Sequence, residues 1–245
     1  MSRATIIAPG ISYRWTENGA APSADSFLLA DFAASRVKGK VCDLCGGAGL
    51  LSVLLCVKEK GESYVCADID SSAVEMCRDN AVSAGFGDKI TACVCDLKNI
   101  NEYLSPESFD SVVCNPPYHE IGGRLSQVRA CARSETECSL EQVCFSAASV
   151  LKNGRRFFVC MKASRLADLI CCMRNAKIEP KRLRFVSHSV GRAPFLVLCE
   201  GIKGASPSIE LCAPLVLYEE DGKPTAESNR IYYGIGEKQD GRTLE

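Results

Sequence analysis

The sequence predicts an open, mostly parallel α/β sheet in one enzyme-sized domain, and three observations point there. Strand-like apolar runs alternate with helical patterns over residues 40–114, at the spacing of repeated βαβ units. The first run, Val41-Cys42-Asp43-Leu44, feeds a glycine-rich turn, Cys45-Gly46-Gly47-Ala48-Gly49. Polar residues then stand at the ends of four successive runs, which is where open α/β sheets bind ligands.

Each element can be justified in order. Residues 1–36 form a preamble expected to pack over the ligand pocket. After the glycines, Leu50, Leu51, Val53, Leu54 and Leu55 begin a helix. Glycine permits the tight turn and lets the backbone approach a ligand with no Cβ in the way. The next strand, Tyr64-Val65-Cys66-Ala67-Asp68-Ile69-Asp70, ends in acids about twenty residues past the last glycine, where ribose hydroxyls usually find their acceptor. Asp68 is the ligand candidate; Asp70 reads as the N-cap of a helix carrying Ala73, Val74, Met76 and Cys77. A third strand, Lys89 to Cys95, ends in Asp96, and a fourth, Phe109 to Cys114, ends in Asn115. Leu140 to Val150 reads as a helix closed by Lys152-Asn153-Gly154, before a fifth strand from Phe157 to Met161. A helix from Ser164, its expected cap, to Asn175 follows. Leu183 to His188 and Phe195 to Cys199 then form an antiparallel pair separated by Gly191 and Pro194. The expectation is seven strands, five parallel and a terminal antiparallel hairpin. It divides the chain into the preamble 1–36, the sheet domain 37–202 and a polar C-terminal extension 203–245, mobile at Lys238 to Glu245.

Asn115-Pro116-Pro117-Tyr118 carries the most chemistry. Two prolines fix φ near −65°, donate no N–H, and push the residue before each out of the helical region. A turn of that stiffness aims the Asn amide, a Pro carbonyl and the Tyr ring in set directions above a strand end. Two oxygens can accept from an exocyclic NH₂ while the phenol stacks on a planar ring, which suits a flat amine such as adenine. Read alone, the turn serves equally well as a rigid connection with a satisfied Asn; the glycine turn and acids upstream favour the amine.

Composition narrows the class. The chain has 245 residues, 47% of them hydrophobic, enough for a sizeable core. No apolar run approaches the ~18 residues of a membrane span. The start, Met1-Ser2-Arg3-Ala4-Thr5, lacks a signal peptide's apolar stretch, so a cytoplasmic location is expected. Sixteen cysteines do not imply a disulfide framework in a chain neither short nor evidently secreted. Cys42 and Cys45 have no second Cys or His pair to complete a zinc site, since His119 and His188 are the two histidines, and no metal is expected. Cys56, Cys66, Cys77, Cys93, Cys114, Cys160 and Cys199 sit inside apolar patterns as small hydrophobes, which implies a reducing compartment. A net charge of −1 excludes a generally basic nucleic-acid binder. Locally, however, Arg124, Arg129 and Arg133 follow the Asn-Pro-Pro-Tyr turn and are candidates for phosphate contacts. The run Lys177, Lys181, Arg182 and Arg184 reads equally as a solvated face.

The set Asp43, Gly47-Ala48-Gly49, Asp68, Asp96 and Asn115-Pro116-Pro117-Tyr118 resembles S-adenosylmethionine-dependent methyltransferases that modify amino groups. Further stretches are similar to the bacterial tRNA(Val) adenine-37 N6-methyltransferase family: Ser26-Phe27-Leu28-Leu29-Ala30, Ala132-Arg133-Ser134-Glu135, Gly191-Arg192-Ala193-Pro194, and Tyr218-Glu219-Glu220-Asp221-Gly222 with Arg230-Ile231-Tyr232-Tyr233-Gly234. The resemblance implies a Rossmann-like class I methyltransferase fold, S-adenosylmethionine as cofactor and tRNA as partner. It implies N6-methylation of an adenine, at position 37 of a valine tRNA, with Asn115, Pro116, Pro117 and Tyr118 catalytic. Asp43, Cys45, Gly47, Gly49, Asp68, Ile69, Asp96 and Leu97 would line the cofactor, Asp68 at its ribose and Asp96 at its adenine amine. The sequence departs from the family at three places. Cys45 stands where the first glycine of the cofactor loop is usual, Ala24 where a hydroxyl is usual, and Ser134 where His is usual.

Other readings stay open at this level. The same turn serves protein-glutamine methyltransferases, against which the arginines after it argue. DNA adenine or rRNA guanine methylation is chemically open, although no separate DNA-recognition domain is evident. A nicotinamide-dependent oxidoreductase would leave the Asn-Pro-Pro-Tyr turn unexplained, and a catalytically silent nucleotide-binding protein would fail a methyl-transfer assay. Oligomeric state is not legible.

Overall fold

A computed structural model describes residues 2–16, 21–117 and 139–234. The chain opens with an antiparallel hairpin, β1 (Ser2–Ala8) and β2 (Ile11–Thr16), and a helix, α1 (Ala24–Ala34). The alternating core follows: β3 (Lys40–Leu44), α2 (Leu50–Val57), β4 (Ser63–Asp68), α3 (Ser71–Ser83), β5 (Ile90–Val94), the single turn α4 (Ile100–Tyr103) and β6 (Phe109–Cys114). Later in the chain come α5 (Leu140–Val150), β7 (Leu151–Lys162), α6 (Leu166–Asn175), β8 (Ile178–Ser189) and β9 (Leu196–Lys203). Two short strands, β10 (Glu210–Leu211) and β11 (Leu215–Tyr218), and a helix, α7 (Ala226–Tyr233), complete the described residues.

The strand order is β10-β8-β9-β7-β6-β3-β4-β5, with β11 also paired to β8. Strands β3 to β7 are mutually parallel, and β9 runs antiparallel between β7 and β8. The predicted five parallel strands and antiparallel pair are therefore present, and among the described residues the sheet reaches nine strands because the segment after 203 adds two to its edge. The strand bodies are near-continuously apolar because both faces are covered. One buried cluster gathers the N-terminal hairpin, α1 and α2 on one face; the other gathers α5 and α6 on the opposite face.

Local differences from the expectation have physical causes. β7 begins directly after α5 instead of at Phe157, so Lys152, Asn153 and Gly154 lie within a long strand, Gly154 at a φ of +72°. Ser164 does not cap α6; it lies in a 3-10 turn, Ala163–Arg165, that leads into the helix. The extension read as a polar tail buries Leu215, Leu217 and Ile231 against the sheet and α1. Its apolar run Leu215-Val216-Leu217 is short, and Ile231 sits in a helix whose other positions are mostly polar, so neither stands out in a polar stretch. Lys238 to Glu245 lie outside the described residues.

Candidate active site

The carboxyl ends of β3, β4 and β6 meet at one cleft with about 680 Å³ of empty space, open to solvent. Its wall includes Asp43, the Cys45–Ala48 turn, Asp70 and Asn115, with Tyr13, Trp15, Ser23 and Ser26 from the preamble.

The turn is built as its glycines require. Gly47 and Gly49 have φ of +57° and +82°, the left-handed region that costs glycine nothing. Cys45, at the place where a glycine is usual, also holds a left-handed φ of +54°. A Cβ on Gly46 would collide with Cys66 Sγ, so the backbone is packed tightly from below. Gly49 begins α2 without any side-chain cap, which leaves the helix's first N–H groups at the turn.

Two acids organise this backbone. Asp43, 1% exposed, accepts from the Ser52 hydroxyl at 2.7 Å and the Ser52 N–H at 3.2 Å, both on one carboxylate oxygen. Asp68 accepts from Gly47 N–H at 2.7 Å and from Asp70 N–H at 3.1 Å. The structure thus places Asp68 beneath the turn, holding it, while Asp70 lines the cleft and also caps α3 by accepting from the N–H groups of Ser72 and Ala73. Ile69 is 48% exposed and Asp96 caps its own 3-10 turn by accepting from Lys98 N–H at 2.9 Å. Leu97 is buried in the second core and lines another groove, with Ile100, Gln142 and Phe145. Of the eight expected cofactor positions, Asp43, Cys45 and Gly47 line the cleft directly, Gly49 ends its turn, and Asp68, Ile69, Asp96 and Leu97 stand outside its lining.

Asn115 emerges from β6 and its amide is held on both sides. Its nitrogen donates to Ser26 Oγ at 2.9 Å and Ser23 Oγ at 3.1 Å, and its oxygen accepts from the Cys160 thiol at 3.3 Å. Pro116 is buried and Pro117 half-buried beside it. Tyr118, Arg124, Arg129 and Arg133 lie outside the described residues, as does Ser134.

Sequence reasoning missed Ser23, Ser26, Ser52, Asn80 and the polar use of Cys160. Asn80, 1% exposed, donates to the carbonyls of Ala48 and Arg14 at 2.9 Å each and accepts from Arg14 N–H at 2.9 Å. It ties the glycine turn to β2 through α3. The family-like run Ser26-Phe27-Leu28-Leu29-Ala30 is the sequence signal that marks Ser26.

The lining chemistry selects among ligands. The described lining residues include two carboxylates and no lysine or arginine. Such a wall suits a ligand bearing positive charge and hydroxyl donors. S-adenosylmethionine, with its sulfonium, ammonium and ribose, fits that donor set. Among the described residues no cluster of three His, Cys, Asp or Glu could hold a metal. All fourteen described cysteines carry free thiols. Burial pushes the Cys95 thiol up to about 12 and drives Cys42 well above its ordinary value, which keeps both protonated and inert. No described helix is long and apolar enough to cross a membrane.

The chain is similar to known methyltransferases. The model of a family described as "Methyltransferase small domain" matches residues 20–162. Proteins named tRNA1(Val) (adenine(37)-N6)-methyltransferase are similar in sequence. The one from Flavobacteriaceae bacterium (strain 3519-10) is 26% identical over 173 residues, covering 65% of this chain and 73% of the relative. The one from Haemophilus influenzae (strain PittGG) is 24% identical, covering 83% of this chain and 85% of the relative. Among solved structures, a predicted O-methyltransferase from Agrobacterium tumefaciens superposes with a TM-score of 0.69 at 19% identity, covering 84% of this chain and 94% of that one. The T. thermophilus 16S rRNA N2 G1207 methyltransferase, solved with AdoMet and guanosine, superposes at 0.58 and 20% identity, covering 82% of this chain and 50% of that one.

Proposed function

The chain belongs to the methyltransferase small domain family, and from that membership we propose that it methylates the N6 amine of an adenine in tRNA, position 37 of a valine tRNA, using S-adenosylmethionine. The carrying observation is the placement of Asn115 beside the Cys45–Ala48 turn, in one cleft whose described wall holds Asp43 and Asp70 but no basic side chain. The names of the similar proteins support the choice of tRNA.

When bound, S-adenosylmethionine supplies a methyl group activated by its sulfonium. The residues of this chain do the rest by position. Asp43 and Asp70 give the cleft the negative charge that attracts a cationic ligand. The turn from Cys45 to Gly49, braced from below by Asp68, offers backbone groups at close range. Asn115 Oδ1 and the Pro116 carbonyl accept from the target amine and turn its nitrogen lone pair toward the methyl. Tyr118 stacks on the base, and Arg124, Arg129 and Arg133 contact phosphates. A base presented this way is single-stranded or flipped out, at a cost of about a few kcal/mol. Orientation of this kind lowers a barrier by at most about 7–11 kcal/mol. Asp96 and Ile69 stand at neighbouring strand ends, where they can reach the adenine end of a cofactor extending along the sheet edge. The free thiols fit work in a reducing compartment such as the cytoplasm.

The test is methyl transfer from labelled S-adenosylmethionine to unmodified bulk tRNA, with the nucleosides identified by mass. N6-methyladenosine is expected with the wild type and absent with Asn115→Ala, cofactor binding being retained. Cofactor binding with no label in tRNA would leave the fold standing and overturn the substrate.

A further inference from the structure

Asn115 can accept from a target amine only if its carboxamide presents oxygen, not nitrogen, to the substrate, and the two ends differ by a half-turn about one bond. The neighbours of that amide hold one of these two rotations. Nδ2 has two hydroxyl oxygens at donor distance, Ser26 at 2.9 Å and Ser23 at 3.1 Å, both from the start of α1. Oδ1 has the Cys160 thiol at 3.3 Å, on β7. The serines are themselves ordered: Ser23 caps α1 by accepting from Ser26 N–H at 3.4 Å, and the two hydroxyls are 3.3 Å apart. A Ser23 oxygen that already accepts its cap bond turns its proton away from the helix, which leaves oxygen lone pairs for the amide N–H groups. Ser26 is 6% exposed and Cys160 wholly buried, so water cannot readily replace either. Ala24, where the family usually has a hydroxyl, is exposed; hydroxyls on either side of it, at 23 and 26, do the facing instead.

We propose that Ser26, assisted by Ser23 and Cys160, is a positioning residue that fixes the rotation of the Asn115 carboxamide so that its oxygen faces the methyl-accepting amine. This rests on the function proposed above. It makes α1, not only the Asn-Pro-Pro-Tyr turn, part of the catalytic geometry. Loss of the Ser26 hydroxyl removes the shorter of the two serine contacts to the amide and loosens the rotation, while alanine suits the helix and should keep the fold.

Two measurements on wild type, Ser26→Ala and Ser26→Thr decide the matter. The first is kcat and KM for methyl transfer, with the cofactor's Kd by calorimetry. Ser26→Ala should lower kcat about 10- to 100-fold with KM and Kd nearly unchanged, as expected for a misoriented reacting group, and Ser26→Thr should recover most of it. The second is NMR solvent exchange of the Asn115 side-chain NH₂, identified by its loss in Asn115→Ala. Exchange should quicken at least about tenfold in Ser26→Ala, as loss of a buried hydrogen bond permits, and return toward wild type in Ser26→Thr. Unchanged kcat with unchanged exchange overturns the proposal, as does a kcat loss matched by an equal loss of cofactor affinity. A wild type that methylates no RNA overturns the proposed function instead, and the exchange rates then decide by themselves whether the serines hold the amide.

Discussion

At the scale of single residues, Cys45 shows a local rule broken at a site. Its φ of +54° is one that a side chain with a Cβ adopts at a cost of about 1–2 kcal/mol, and the neighbouring Gly47 and Gly49 adopt similar values freely. The departure from the family's usual glycine was legible in the sequence; the strain was not, because it depends on the turn's actual path. Replacing Cys45 with Gly should therefore stabilise the protein by about 0.5–1 kcal/mol after the extra entropy of an unfolded glycine is subtracted. Calorimetry should show Tm rising about 1–4 °C; a lower Tm would mean that the packing of the Cys45 side chain outweighs the strain. Asp68 and Asp70 exchange emphasis in the same way. The sequence assigned Asp68 to the ligand and Asp70 to a cap, and both lie at the predicted strand end. Their hydrogen bonds, however, set Asp68 under the turn and give Asp70 a place on the cleft wall as well as the cap. Period and spacing locate a strand end to a residue or two, and which of two adjacent acids faces the cleft is decided by the twist and by the N–H groups nearby.

At the scale of elements, the N-terminal hairpin and α7 are held on the sheet by a few directed contacts. Asn80 satisfies three backbone groups at once, joining α3, β2 and the glycine turn. Asn80→Ala leaves those groups to find other partners and should cost about 2–3 kcal/mol, read as a lower urea midpoint. It should also weaken cofactor binding, because the turn carrying Gly47 loses its brace; a variant of unchanged midpoint would show that the hairpin's own packing suffices. On the other side, α7 is attached to α1 by Arg230, whose two nitrogens reach the two oxygens of Asp31 at 2.9 Å each, with Lys58 at 3.1 Å. Burial by itself would raise the Asp31 carboxyl, but Arg230 and Lys58 outweigh it and hold the group below its ordinary 3.8. A carboxyl depressed on folding contributes stability that is complete above its unfolded value and is lost as pH falls through its folded value. An acid titration below about pH 4 should therefore release α7 in the wild type, seen as proteolysis near Tyr232 and Tyr233. In Asp31→Asn that acid-dependent step should be missing, with α7 already loosened at neutral pH.

At the scale of the whole molecule, Glu200 joins the halves of the structure. It is fully buried on β9, and its carboxylate lies 2.9 Å from Arg156 on β7, 2.8 Å from Arg182 on β8 and 3.3 Å from Arg36 just past α1. The Arg182 Nε contact is close but misaligned as a hydrogen bond, so that pair is held by charge more than by direction. Glu200→Gln would leave the arginines facing one another without their anion, at a cost of about 3 kcal/mol. A fall in Tm of about 6–12 °C is the expected reading; an unchanged Tm would assign the arginines to solvent. The same scale explains why the extension after 203 reads as a polar tail from its sequence but folds onto the sheet. Leu215-Val216-Leu217 is a run too short to stand out from its polar surroundings and Ile231 lies in a mostly polar helix, and the burial of Leu215, Leu217 and Ile231 comes from the edge of β8 and the back of α1.

The sequence by itself determined the alternation of β and α elements, the strand ends that carry Asp43, Asp68, Asp96 and Asn115, and the terminal antiparallel pair. Each follows from a local cause: apolar period, glycine at a left-handed turn, proline stiffness, an acid before a helix. Only the tertiary structure decided which of those residues share a cleft, that Ser23, Ser26 and Cys160 meet the Asn115 amide, and that Asn80 reaches the glycine turn. Those contacts join residues as far apart as 23 and 115, and they exist because the sheet's strand order folds distant segments onto one edge. A hydrogen bond depends on distance and angle to within tenths of an ångström, and separation along the chain carries no record of either.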